Sequence, residues 1–195
     1  MKKIKHIFKF LKNTLITNYI YLSKDIVLGR KVFFKQMPYI LKHKNAIIEI
    51  GDNTIINSSN YGYHINMFSR CKLYADRENA LIKIGENCRI HGTCIHAYNK
   101  IEIGRNCLIA ANTQIIDGNG HNLCMDEPEK RLISSDIGKE IIIGKNVWIG
   151  ANTIILGGSV VGEGSIIMAG SVVKGIVKPK CIYGGNPAKL IKKYD

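Results

Sequence analysis

Between residues 141 and 173 a large aliphatic side chain returns every six residues, at Ile143, Ile149, Ile155, Val161, Ile167 and Val173. Four places after each of the first five stands a small or β-branched residue: Val147, Thr153, Ser159, Ser165 and Ser171. A six-residue period fits neither the 3.6-residue turn of an amphipathic helix nor the strict alternation of a half-buried strand. It marks a chain that turns at a fixed interval. Short extended segments, each too small to bury its own apolar side chain, stack on their neighbours, and the repeated aliphatic forms a continuous inward row. Gly and Asn near the corners supply the backbone angles that each bend requires.

This stretch resembles the hexapeptide-repeat acyltransferases, of the sugar and polysaccharide O-acetyltransferase type. The resemblance implies an all-β fold, a left-handed parallel β-helix with three hexads per triangular coil, which would break the usual right-handed crossover preference. It covers residues 84–190 closely and 28–60 more loosely. Members that acetylate small free sugars usually carry a distinct N-terminal helical domain and an Asn-rich entry before the catalytic coil; here RIHGTCIHAYN stands instead, which argues against a simple maltose or galactoside acetyltransferase.

The rest of the chain divides around the repeat. Residues 1–22, MKKIKHIFKFLKNTLITNYIYL, place Ile4, Ile7, Phe8, Leu11, Leu15 and Tyr19 at helical spacing, with Lys2, Lys3, Lys5, Lys9 and Lys12 largely on other faces. This predicts a basic amphipathic helix that caps the open end of the solenoid, packs on a neighbouring subunit or lies on an anionic membrane surface. Lysines interrupt its apolar run and no small-residue cleavage site follows, so it does not read as a secretory signal. The solenoid is expected over 23–178 and a coenzyme-A-binding tail over 179–195.

Within the solenoid, hexads begin at Leu28 and are plain at Ile50 and Ile56, loosen through 57–80, resume at Ile84 and Ile90, slip by one and restart at Ile103, Ile109 and Ile115. From Ile103 to Ile143 is forty residues, where two coils of eighteen would take thirty-six. A segment therefore leaves the coil. DGNGHNLCMDEPEKRLISSDIGKE, polar and without period, is expected to project from a corner over about 118–140, where repeat proteins carry function.

At the root of this loop stand Asp117 and His121. The resemblance implies that a His here removes the proton of the acceptor hydroxyl. An imidazole with a pKa near neutrality suits that task, since a sugar hydroxyl is a poor nucleophile against a thioester. Asp117 is expected to orient His121 or to bind the acceptor. No covalent nucleophile is required, and the developing oxyanion needs a donor, most simply a backbone N–H.

The tail, with YGGNPAK as the family's C-terminal signature, is expected to help bind acetyl-CoA. Trp148, Gly150, Ala151, Ala169 and Gly170 would lie along the pantetheine and acetyl end. Lys174, Lys189 and Lys192 would lie near the nucleotide phosphates as charge-assisted partners. Lys189 stands where the family often has Arg, so the bidentate phosphate contact that the resemblance implies is not expected there.

A net charge of +13 fits an anionic partner, but no nucleic-acid motif is visible and the charge gathers at the chain ends. The six cysteines show no CxxC pairing and read as small core fillers in a reducing compartment, hence a cytoplasmic protein, peripheral at the membrane's inner face if the helix adsorbs there. Tyr61, Tyr63, His64 and Phe68 sit where the repeat loosens and are assigned no role beyond packing or lining a sugar surface.

The resemblance implies a homotrimer with sites between subunits and a sugar or glycan acceptor of a surface polysaccharide, capsule or lipopolysaccharide precursor. An amino sugar, serine or an antibiotic is the alternative acceptor. Two other classes remain open: a zinc carbonic-anhydrase-like enzyme using His91, His96 and His121, and a non-catalytic scaffold. No metal is expected for the transferase.

Overall fold

Strands of two to five residues alternate with tight corners, and each pairs with the strand one coil further on. Three sheets of seven, eight and six strands result, the three faces of a left-handed parallel β-helix. The computed structural model describes residues 2–23 and 26–194, with side chains from Phe10 onward, so the expected roles of Ile4, Ile7, Phe8 and their neighbouring lysines lie outside the described side chains.

The register explains the hexad. Ile103, Ile143 and Val161 are neighbours across the first sheet, Ile109, Ile149 and Ile167 across the second, and Ile115, Ile155 and Val173 across the third. Each is at most 2% exposed. One aliphatic per hexad thus becomes one inner ridge per face, and each such burial contributes about 1.5–3 kcal/mol. Cys88, Cys107 and Val147 are buried in the corner between these ridges, and all six cysteines are free.

At the corner between the first and second sheets, Asn53, Asn87, Asn106 and Asn146 adopt φ of 56–60°. Asn tolerates this left-handed geometry better than other residues with a side chain. The backbone N–H of Asn106 bonds to the Glu86 carbonyl (2.9 Å) and that of Asn146 to the Arg105 carbonyl (2.9 Å), so each bend is tied to the coil before it.

Two segments leave the coil. Ile103 is the register partner of Ile143, so their forty residues hold one coil and an insertion, not two coils and a remainder. Ile50 likewise pairs with Ile84, with an insertion between the strands Ile55–Asn57 and Lys72–Ala75. The first insertion in the chain leaves the corner between second and third sheets; the later one, after Gln114–Ile116, leaves the corner between third and first.

Both ends of the second sheet are closed. The helix Lys2–Leu22 lies on its first strand, Phe33–Lys35, but not through the expected apolar face. Leu11, Leu15 and Tyr19 are 51%, 69% and 64% exposed, while Asn13, Thr17 and Ile20 are buried. The reason is hydrogen bonding. Successive outward N–H groups of the edge, those of Val32, Phe34 and Gln36, donate to Tyr21 Oη (3.2 Å), Thr17 Oγ1 (3.1 Å) and Asn13 Oδ1 (3.1 Å), and an edge left bare would template another chain. At the far end the coil continues past the expected boundary at 178 to the strand Cys181–Gly184, on which Lys189–Lys193 folds back antiparallel. Among the described residues no helix is long and apolar enough to cross a membrane.

Candidate active site in two halves

A groove of ≈ 1010 Å³ runs along the outer face of the second sheet and its corner with the third. It brings together Trp148, Gly150, Ala151 and Ala169, four of the residues expected to hold the pantetheine arm. Trp148 is 52% exposed and offers an open aromatic face. Gly150 has a second reason to lack a side chain: a Cβ there would stand 2.4 Å from the Ala169 backbone nitrogen, so the next coil fits only over glycine. Gly170, next to Ala169, donates its N–H to the Ala151 carbonyl (2.8 Å) and so joins the same two coils.

The groove's far end meets the tail. The Met168 N–H bonds to the Tyr183 carbonyl (2.9 Å), and Lys189 is the register partner of Gly184 beside it. Lys189 and Lys192 are exposed, and Lys192 Nζ lies 4.6 Å from the Tyr194 ring centre.

The groove's other end is walled by the insertion 58–71, which sequence reasoning left without a role. Tyr63 stacks on His91 with ring centres 4.5 Å apart, and His64 lines the same space. The insertion is pinned from both sides: the Phe68 N–H donates to Asn112 Oδ1 (2.9 Å) and Asn112 Nδ2 donates to the Asn66 carbonyl (2.9 Å). His91 is half-buried, and burial, helped by Lys35, Arg89 and His64, pushes its imidazole down to about 4. It is therefore neutral at pH 7. Asn57, last residue before the repeat breaks, and His91 are register partners one coil apart, a relation that the break hides in the sequence.

The second half lies on a different edge. Asp117 is buried and does not orient His121. Its carboxylate accepts the backbone N–H groups of Tyr98 (2.7 Å), Asn99 (2.9 Å) and Lys100 (2.8 Å), and so is spent on holding the root of the loop to the preceding coil. Burial pushes this carboxyl above its usual range against the pull of the three donors. His121 is exposed, and its Nδ1 lies 3.2 Å from the Ser134 carbonyl oxygen. A carbonyl only accepts, so Nδ1 carries the proton and Nε2 keeps its lone pair, the tautomer a general base needs.

Lys174 follows Val172–Val173 at the same corner as His121, between third and first sheets. Asp117, His121 and Lys174 thus share one edge of the prism, and the groove residues with Lys189 occupy another. His91, His96 and His121 fall on the second sheet, the third sheet and the loop, and among the described residues no three His, Cys, Asp or Glu side chains gather as metal ligands.

Residues 140–175 match the family described as bacterial transferase hexapeptide (six repeats), and residues 81–116 the hexapeptide repeat of succinyl-transferase. No curated protein matches the chain. Among solved structures, a variant of AntD, an N-acyltransferase from Bacillus cereus, in complex with dTDP and coenzyme A, is 23% identical over 90% of this chain and 89% of that one, with a TM-score of 0.65. The hexapeptide-repeat-containing acetyltransferase VCA0836 from Vibrio cholerae is 25% identical over 90% of this chain and 78% of that one, with a TM-score of 0.58. A maltose O-acetyltransferase from Clostridium difficile 630 is 23% identical over 87% of this chain and 70% of that one, with a TM-score of 0.54.

Proposed function

We propose that this chain, a hexapeptide-repeat protein of the bacterial transferase type, is an acetyl-CoA-dependent O-acetyltransferase acting on a sugar hydroxyl of a surface polysaccharide, capsule or lipopolysaccharide precursor. The observation that carries the reading is the pairing of an open groove, lined by Trp148 and coil-edge backbone and ending at a basic tail, with a loop histidine whose Nε2 is left basic. VCA0836 has been solved with acetyl coenzyme A, which supports the choice of donor. In the reaction, the acceptor oxygen bonds to the acetyl carbon as His121 Nε2 takes the hydroxyl proton. The tetrahedral intermediate then expels the CoA sulfur, which leaves with that proton.

The two halves support assembly as a homotrimer. His121 and the groove stand on different edges of one prism, and the loop carries Leu132, Ile133 and Ile137 at 80–86% exposure, uncovered by the described residues. A neighbouring copy that covers this apolar tip would receive His121 at its groove.

The exposed stripe of Leu11, Leu15 and Tyr19 supports a further reading, of a cytoplasmic protein held at the inner membrane face. Co-sedimentation with phosphatidylglycerol vesicles, lost in Leu15→Asp, is the expected result.

Heating the protein with and without millimolar acetyl-CoA tests the donor. Ligand at about a hundred times its Kd adds about 2.7 kcal/mol and raises Tm by a few degrees. No rise at saturation would overturn the donor assignment. The acceptor is then sought among sugars; transfer to an amino sugar but to no hydroxyl would replace O- by N-acetylation, in line with the N-acyltransferase name that AntD carries.

A further inference from the structure

The groove holds a hydrogen-bond donor in a fixed state with no partner among the described residues. Asn57 Oδ1 accepts the Ser59 N–H (3.0 Å), which sets the orientation of the amide and turns its NH₂ toward His91. Asn57 Nδ2 is 3.0 Å from His91 Nδ1. An NH₂ group can only donate, so Nδ1 presents a lone pair and the proton of this neutral ring sits on Nε2. Tyr63 stacked on the ring keeps it from turning. Among the described residues no group accepts from Nε2, yet His91 has no sealed, unsatisfied nitrogen; the N–H opens onto the groove that His91 lines.

The position along the groove says what it would meet. Neighbouring strands of a sheet stand about 4.8 Å apart, so His91 lies about 10 Å from Trp148 and about 14 Å from the Met168 coil. The tail lysines are two strand positions further still. A donor molecule lying with its phosphates at the tail and its arm past Met168, Ala151 and Trp148 ends at His91.

We propose that His91 donates its Nε2–H to the thioester carbonyl oxygen of acetyl-CoA, as the side-chain member of the oxyanion hole; the inference rests on the groove's being the acetyl-CoA site. Attack by the acceptor places negative charge on that oxygen, and a preoriented neutral donor stabilises it without exchanging a proton. His91 and His121 thus divide the work. One holds its proton while the other takes one.

The division is testable because glutamine can place an amide N–H where His91 has Nε2–H but cannot serve as a base. His91→Ala should lower kcat about a hundredfold with Kd for CoA within about threefold of the parent, and His91→Gln should restore kcat to within about tenfold. His91→Ala with near-parental kcat would overturn the proposal. So would a Gln variant as inactive as Ala while its melting temperature and CoA affinity stay parental. Should neither variant fold, two-bond ¹⁵N–¹H spectra of the parent protein decide: the Nε2–H tautomer is expected, with a shift at Nε2 on adding acetyl-CoA larger than with CoA, which has no thioester carbonyl. An Nδ1–H tautomer, or equal shifts from the two, would overturn it. If the parent protein binds neither molecule, the donor-groove reading falls and takes this inference with it, whereas tight binding with an indifferent His91 removes the inference alone.

Discussion

The two insertions have opposite relations to the coil they leave. The segment 58–71 is folded down onto its own prism: Ser58, Ser59 and Met67 are buried, the Cys71 N–H bonds to Ser58 Oγ (3.0 Å), and Asn112 on a later coil grips its tip. The later segment is held at the root by Asp117, and within itself by Asp136, whose carboxylate accepts the Asn119 N–H (2.7 Å). Its tip shows Leu123, Met125, Leu132, Ile133 and Ile137 to solvent. The contrast separates a wall from an arm. One insertion walls the groove of the chain that carries it, and the other presents an uncovered apolar tip.

The largest expected effect falls on the arm. His121→Ala should lower kcat by roughly 10³-fold with acetyl-CoA affinity unchanged, measured by steady-state kinetics and by calorimetry; equal activity would end the assignment of the base. If the proposed homotrimer forms through the arm, the double substitution Leu132→Asp, Ile133→Asp should leave only monomers in native mass spectrometry and abolish transfer. Phe68→Asp on the wall, equally exposed, should leave the assembly intact, and a matching loss of assembly there would erase the distinction between the insertions.

Smaller effects concern the roots. Asp117→Ala strands three backbone donors and should cost about 3 kcal/mol in denaturant unfolding. Asn112→Ala, which frees the wall's tip, should cost about 1–2 kcal/mol and weaken acetyl-CoA binding without touching the arm. The smallest is a pH effect. His91 is held neutral by a folded-state pKa of about 4, below the ordinary 6.5 of the unfolded chain, so the unfolded state binds the extra proton in this interval. That stability is present above about 6.5 and is lost as pH falls toward 4. Because the ring keeps some solvent contact the loss should be on the order of 1 kcal/mol, and His91→Gln should flatten the curve in this window.

The three ridges that run through Ile143, Ile149 and Ile155 are legible in the sequence because stacking repeats a local instruction, and the Asn-bearing corners follow for the same reason. Asp117 misleads because its partners stand 17–19 residues earlier on the previous coil, a relation no spacing along the chain displays. The helix misleads in another way. Helical period shows that Leu11, Leu15 and Tyr19 share a face but not which face turns inward, and here the inward one is chosen by the N–H groups of a strand edge, through Asn13 and Thr17. The wall is hardest to read, since Asn57, Tyr63 and His91 meet across a break in the repeat and obey no period of their own.

The two closures of the second sheet, by helix at one end and by the returned tail strand at the other, make the solenoid a ruler. Rungs can be added or removed only between them, and each changes the distance from the tail lysines to His91 by one strand spacing, about 4.8 Å. The arm between the phosphates and the thioester of coenzyme A has one length, so on the proposed reading the count of coils between Lys189 and His91 is the one dimension of the groove that cannot vary, whichever acyl group is carried.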